Sequence, residues 1–231
     1  MARRVDACRV FFFQKDCMTR SERAKIFNES SIYPVVSSEF CCGRNVADVV
    51  LALATGGARI VQFREKNVSD RAKWNLAWMC QKIAADFGML FMVDDDVALA
   101  LACGADGVHL GQSDLPVSAA RKIAPELLIG ISTHNPEEIR AANLEDVDYM
   151  NIGPLFLTQT KNVVYPVVGI ENLIAWKDFS RKPFSVMGGI KAEHIPVLKK
   201  IGCRHIAMVT ALSQAENIAE EMRKMIGLAE R

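Results

Sequence analysis

One repeated alternation narrows what this chain can become more than any other feature. Eight short runs rich in β-branched or aromatic residues fall at 31–37, 59–64, 89–94, 107–110, 128–133, 147–153, 184–188 and 205–210. Each is followed by a stretch with helical spacing, at 46–55, 70–87, 97–103, 117–124, 136–143, 170–177, 192–200 and 214–229. The punctuation agrees. Gly56-Gly57 permits a left-handed stop, Ser69 precedes a helix as an N-cap, and Asn135-Pro136-Glu137-Glu138 supplies a cap, a first-turn proline and acids at the positive end of the dipole.

Parallel strands need a crossover helix each, and a sheet built from them is covered on both faces. Eight such units without a composition break therefore predict an α/β protein of one domain, a single (β/α)8 TIM barrel. An open doubly wound sheet would use fewer strands, and no Gly-x-Gly-x-x-Gly opens a first helix. The length of 231 residues suits one barrel over 31–231, with residues 1–30 left as an N-terminal arm on its outside. Within that arm, 18–29 has the pattern of a short amphipathic helix.

Composition excludes several function classes. With 28 Lys+Arg against 27 Asp+Glu, the formal charge of +1 gives no electrostatic footprint for nucleic acid or a membrane surface. No apolar run approaches the ~20 residues of a membrane span. The apolar run at 10–13 is too short for a signal peptide. Seven cysteines without a Cys-x-x-Cys read as reduced thiols of a cytoplasmic protein. Small molecules are the expected partners, and a homo-oligomer is compatible with the sequence without being specified by it.

In a barrel of this kind the chemistry lies at the C-terminal strand ends. There, period-two alternation puts Gln62 and Arg64 on one face with Lys66 beyond them, a set suited to a polar ring or an anion. The third strand ends in Asp94-Asp95-Asp96, and Asp114 follows the fourth. These hard oxygens at neighbouring ends suit Mg²⁺, which takes one or two carboxylates plus water and phosphate. His109 lies within its strand and reads as a core histidine or one supporting a ligand-binding neighbour.

Ser132 ends the fifth strand as a hydroxyl donor or a turn residue. His134 beside it is a base by type, but Asn135-Pro136 also makes it part of a helix start. Thr158, Thr160 and Lys161 lie in a long loop after the sixth strand and match phosphate oxygens. Gly188-Gly189 and Val209-Thr210 end the last two strands, the recurrent position of a barrel phosphate site.

Together these residues resemble the thiamine phosphate synthase family. The resemblance rests on Val61-Gln62-Phe63-Arg64-Glu65-Lys66, Gly107-Val108-His109-Leu110-Gly111-Gln112, Ile129-Gly130-Ile131-Ser132, Gly153-Pro154 with Thr158-Gln159-Thr160-Lys161, and Gly188-Gly189-Ile190. It runs from about residue 32 to the C-terminus. It implies a transferase that joins hydroxymethylpyrimidine pyrophosphate to hydroxyethylthiazole phosphate and releases pyrophosphate.

Carried over by position, Gln62, Arg64, Lys66 and Asp94 would face the pyrimidine pyrophosphate, and Asp95 with Asp114 would hold Mg²⁺. Ser132 and Lys161 would bind the pyrophosphate. Thr158, Thr160, Gly189, Val209 and Thr210 would receive the thiazole phosphate. Arg64, Ser132 and Lys161 would carry the catalysis. Two positions depart from the family's pattern, because Asp94 and Asp96 stand where Asn and Arg are usual. An ionised Asp94 cannot donate to a phosphate oxygen, and like charges at ~4 Å repel by roughly 4 kcal/mol at an effective dielectric near 20. Two alternatives stay open at this level: a thiazole tautomerase of the same superfamily, and a non-catalytic barrel that binds thiamine phosphates and regulates partners.

Overall fold

The computed structural model describes residues 18–158 and 165–230. Eight parallel strands close on themselves in sequence order: β1 (Ile32–Val36), β2 (Ile60–Phe63), β3 (Leu90–Asp94), β4 (Gly107–Leu110), β5 (Leu128–Thr133), β6 (Tyr149–Ile152), β7 (Phe184–Val186) and β8 (His205–Met208). Register pairs such as Gln62 with Met92 and Ile32 with Ile206 join each strand to the next and β8 back to β1. The predicted (β/α)8 TIM barrel is the fold observed.

The helices are α1 (Arg20–Asn28), α2 (Val46–Thr55), α3 (Asp70–Asp86), α4 (Val97–Cys103), α5 (Val117–Ile123), α6 (Pro136–Ala142), α7 (Gly169–Trp176), α8 (Ile195–Ile201), α9 (Thr210–Ser213) and α10 (Ile218–Glu230). Side chains cap several of them: Asn45 on α2, Ser69 on α3, Asp96 on α4 and Asn135 on α6. Gly57 takes the left-handed conformation after α2. Gly56 serves a different purpose, since a Cβ there would come 2.8 Å from the Ala219 carbonyl of α10. The last predicted helix, 214–229, is α10, a separate short α9 precedes it over Thr210–Ser213, and 192–194 forms a single 3₁₀ turn ahead of α8.

Alternation along the strands separates two cores. Outward residues such as Val61, Phe91, Val108, Ile129 and Ile152 pack against the helices. Inward residues Tyr33, Ile60, Leu90, Met92, Leu128 and Tyr149 fill the lower barrel together with Phe27 of α1.

Phe27 corrects the expectation of an outer arm. Its ring stacks on Tyr149 at 4.2 Å and lies 4.5 Å from His205, so α1 plugs the N-terminal end of the barrel. Thr19 and Glu22 form a capping box that starts the helix. Arg23 then reaches the buried Asp106 at 3.3 Å and the Glu126 carbonyl at 2.7 Å. The first 17 residues of the arm lie outside the described residues.

Candidate active site

The C-terminal strand ends enclose an open pocket of ≈ 420 Å³ lined by Val35, Ser37, Phe40, Gln62, Arg64, Asp94, His109, Ser132, Met187 and Val209. A second, of ≈ 280 Å³, is lined by Thr158, Met187, Gly188, Gly189, Ile190, Ala207, Met208, Val209 and Thr210. Met187 and Val209 line both, so the two pockets are contiguous.

Each pocket residue follows from its strand. Gln62 is inward on β2, and Arg64 continues that face one step past the strand. Asp94 and His109 are paired across β3 and β4, and Ser132 is inward on β5. Asp94 lies between two cations, with Oδ2 3.3 Å from Arg64 Nε and 3.2 Å from Lys66 Nζ. Lys66 also pairs with Asp95. The arginine and lysine expected to meet a substrate anion are thus engaged by carboxylates of the protein.

Asp96 does a different job. Its Oδ1 accepts the Leu99 amide at 2.9 Å to cap α4, and its Oδ2 meets Lys73 at 3.2 Å.

Asp95 has a left-handed backbone, φ 63°. Its amide donates to the His109 carbonyl at 2.8 Å, which holds it at the β3–β4 rim. On the next loop, Asp114 Oδ2 accepts the Gly111 amide at 2.7 Å. Two carboxylates on neighbouring strand ends are the donor chemistry that Mg²⁺ takes alongside water and phosphate oxygens. Among the described residues, no three His, Cys, Asp or Glu groups gather as a metal cluster.

Beneath the pocket runs a buried polar chain that the strand ends alone did not reveal. Gln62 Nε2 donates to the Tyr33 hydroxyl at 3.0 Å, Tyr33 meets Tyr149 at 2.9 Å, and Tyr149 meets His109 Nδ1 at 3.0 Å. His109 Nε2 then meets Ser132 Oγ at 3.0 Å. Burial pushes both phenols above their ordinary pKa, so they stay protonated. Ser37, on the inward face that Tyr33 and Val35 begin, was also missed, and its period-two spacing from them was the available signal.

Thr158 and the Gly188–Thr210 ends come together as expected. Gly188 and Gly189, at φ 108° and 62°, also let the loop after β6 cross closely. A Cβ on Gly189 would approach the Leu157 carbonyl to 2.5 Å. Thr160 and Lys161 lie outside the described residues. His134 is not among the residues lining either pocket. Its ring bonds Glu138 at 2.8 Å and stacks on Tyr165 at 3.7 Å, fixing the start of α6 and the chain beyond the long loop.

A parallel barrel with a charged polar pocket opening into a glycine-lined cradle is the arrangement of an enzyme that handles phosphorylated ligands. The chain belongs to the thiamine monophosphate synthase family, whose pattern it matches over residues 32–212. It is 38% identical to the thiamine-phosphate synthase of Pelotomaculum thermopropionicum over 205 residues, 88% of this chain and 94% of that protein. It is 32% identical to that of Caldicellulosiruptor saccharolyticus, over 90% of this chain and 95% of that one. The solved thiamine phosphate pyrophosphorylase of Pyrococcus furiosus superposes with a TM-score of 0.81 at 29% identity, covering 89% of this chain and 98% of that one.

Proposed function

We propose that this chain is a thiamine-phosphate synthase whose two contiguous pockets hold the two substrates side by side. In this reading hydroxymethylpyrimidine pyrophosphate occupies the pocket of Gln62, Arg64, Asp94 and Ser132. Hydroxyethylthiazole phosphate places its phosphate in the cradle of Thr158, Gly189, Val209 and Thr210. Thr160 and Lys161 complete the anion contacts from the long loop. The observation that carries the reading is the shared wall of Met187 and Val209, which lets a carbon in one pocket meet a nitrogen in the other.

The reaction asks for little covalent chemistry from the protein. The bond between the pyrimidine methylene carbon and the pyrophosphate oxygen breaks, and its electron pair leaves on pyrophosphate. The thiazole nitrogen lone pair then forms the new C–N bond. Arg64, Lys66, Lys161 and Ser132 stabilise the departing anion, and the two contiguous pockets align the partners. Mg²⁺ held by Asp95 and Asp114 would neutralise charge on the pyrophosphate. Binding an anion requires Arg64 and Lys66 to exchange Asp94 and Asp95 for phosphate oxygens, so the carboxylates act as placeholders for the ligand's charge.

Among the described residues no helix is long and apolar enough to cross a membrane. The five described cysteines are free, and burial pushes four of their thiols up, Cys41 to about 11 and Cys80, Cys103 and Cys203 to about 12. Five unpaired thiols, four of them buried, support a reducing, cytoplasmic setting.

Purified protein with Mg²⁺ should release pyrophosphate only when both precursors are present. Tight thiamine phosphate binding with no turnover would overturn the synthase reading in favour of a regulatory barrel.

A further inference from the structure

We propose that the buried chain Gln62–Tyr33–Tyr149–His109–Ser132 is a polarised hydrogen-bond relay that fixes which atoms Gln62 and Ser132 present to the pyrimidine substrate. The inference rests on the synthase reading for the ligand, but the relay itself is a property of the free protein. Tyr33, Tyr149 and His109 act through their neighbours and are positioning residues.

The polarity follows from the end of its amide that Gln62 turns to Tyr33. Gln62 Nε2 can only donate, so the Tyr33 oxygen accepts. A buried hydroxyl proton needs an acceptor; along the chain the Tyr149 oxygen is within reach of the Tyr33 hydroxyl, and His109 Nδ1 is within reach of the Tyr149 hydroxyl, so the protons run in that direction. With Nδ1 accepting, the neutral ring carries its proton on Nε2 and donates it to Ser132 Oγ. Ser132 is left with its own O–H to give. Gln62 Oε1 is left as the acceptor of the same amide.

The pocket that both residues line therefore meets an acceptor on one wall and a hydroxyl donor on the other. An amino-substituted ring needs the first, and a pyrophosphate oxygen needs the second. The opposite polarity would turn an NH₂ toward the ring amine and withhold the serine proton from the anion.

The barrel is shaped around this chain. The link from Tyr33 on β1 to Tyr149 on β6 crosses the interior between strands that are not neighbours. Gly130 on β5 faces the crossing, and a Cβ there would overlap the Tyr149 ring and stand 2.6 Å from His109 Nδ1. Both phenols are held neutral by burial.

Two measurements test this. The first is ¹⁵N NMR of the ligand-free protein, with the His109 signals assigned by their loss in His109→Gln. The proton should lie on Nε2, and a proton on Nδ1 would overturn the polarity. This readout needs no substrate, so it succeeds or fails separately from the synthase reading.

The second is steady-state kinetics with each substrate varied in turn. Tyr149→Phe should raise KM for the pyrimidine pyrophosphate roughly tenfold, as expected for one broken buried link, with KM for the thiazole phosphate within about twofold. His109→Gln, which retains one acceptor and one donor, should recover most of what His109→Leu loses. Equal shifts in both KM values, or no difference between Gln and Leu at 109, would mean a merely structural role and overturn the proposal.

Discussion

The two ends of the barrel hold their charges in different ways. At the N-terminal end, Arg23 bonds Asp106 and a backbone carbonyl, while Arg20 bonds Asp146 and Asp148 at 2.7 and 2.6 Å. Asp106 also accepts the Phe91 amide, and Asp148 the Ile129 amide, so these carboxylates are tied to the strands as well as to cations. At the C-terminal end, Arg64 and Lys66 are satisfied chiefly by Asp94 and Asp95, side chains that a ligand's oxygens can replace. The first arrangement suits permanence, whereas the second suits exchange. In a barrel this division falls where stability and catalysis are expected to separate.

The comparison can be broken from the base upward. Phe27→Ala removes a buried ring from the plug and should cost about 3–5 kcal/mol of stability, measured by urea unfolding. The folded fraction should keep the turnover of the parent. A loss of turnover per folded molecule would show that α1 shapes the mouth as well as the base.

Asp94→Asn probes the opposite end. It removes the charge that occupies Arg64 and Lys66, and it supplies an amide donor toward phosphate. KM for the pyrimidine pyrophosphate should fall about tenfold, equivalent to about 1.4 kcal/mol. A large loss of activity instead would give the carboxylate a positive role.

The smallest effect concerns His205, which lies against Phe27 and donates from Nδ1 to the Ser30 carbonyl at 2.7 Å. Burial lowers its pKa below the ordinary 6.5, so it folds as the neutral ring while the unfolded chain takes up a proton more readily. The stability it contributes is present above pH 6.5 and falls away as the pH drops below that value. Thermal unfolding of His205→Asn across that range should show a flatter pH dependence. An unchanged slope would assign the dependence to other groups.

Much of the fold and of the mouth is legible in the amino-acid sequence. The strands stand out because two periods alternate, and a barrel strand buried on both faces is a short apolar run with clear ends. Gln62, Arg64, Ser132 and the Gly188–Thr210 ends are found because strand ends point to the mouth. What stays hidden depends on partners distant in sequence. A tyrosine inside a strand, such as Tyr33 or Tyr149, looks the same whether it fills a core or carries a hydrogen bond. The pattern of 18–29 announces an amphipathic helix without saying which surface it covers. Asp94 reads as a repulsive neighbour of the anion, because nothing local shows that two cations already hold it.

Two arginines test the division most directly. Turnover per folded molecule should be measured for Arg64→Ala and Arg23→Ala under the same conditions, with unfolding curves fixing the folded fraction. Removing Arg64 should lower kcat/KM by about 10²–10³-fold with stability nearly unchanged. Removing Arg23, which breaks its buried ion pair with Asp106, should cost about 3–5 kcal/mol of stability and leave the folded enzyme's turnover within about threefold of the parent. Comparable losses of turnover from both variants would contradict the separation of a stabilising base from a catalytic mouth.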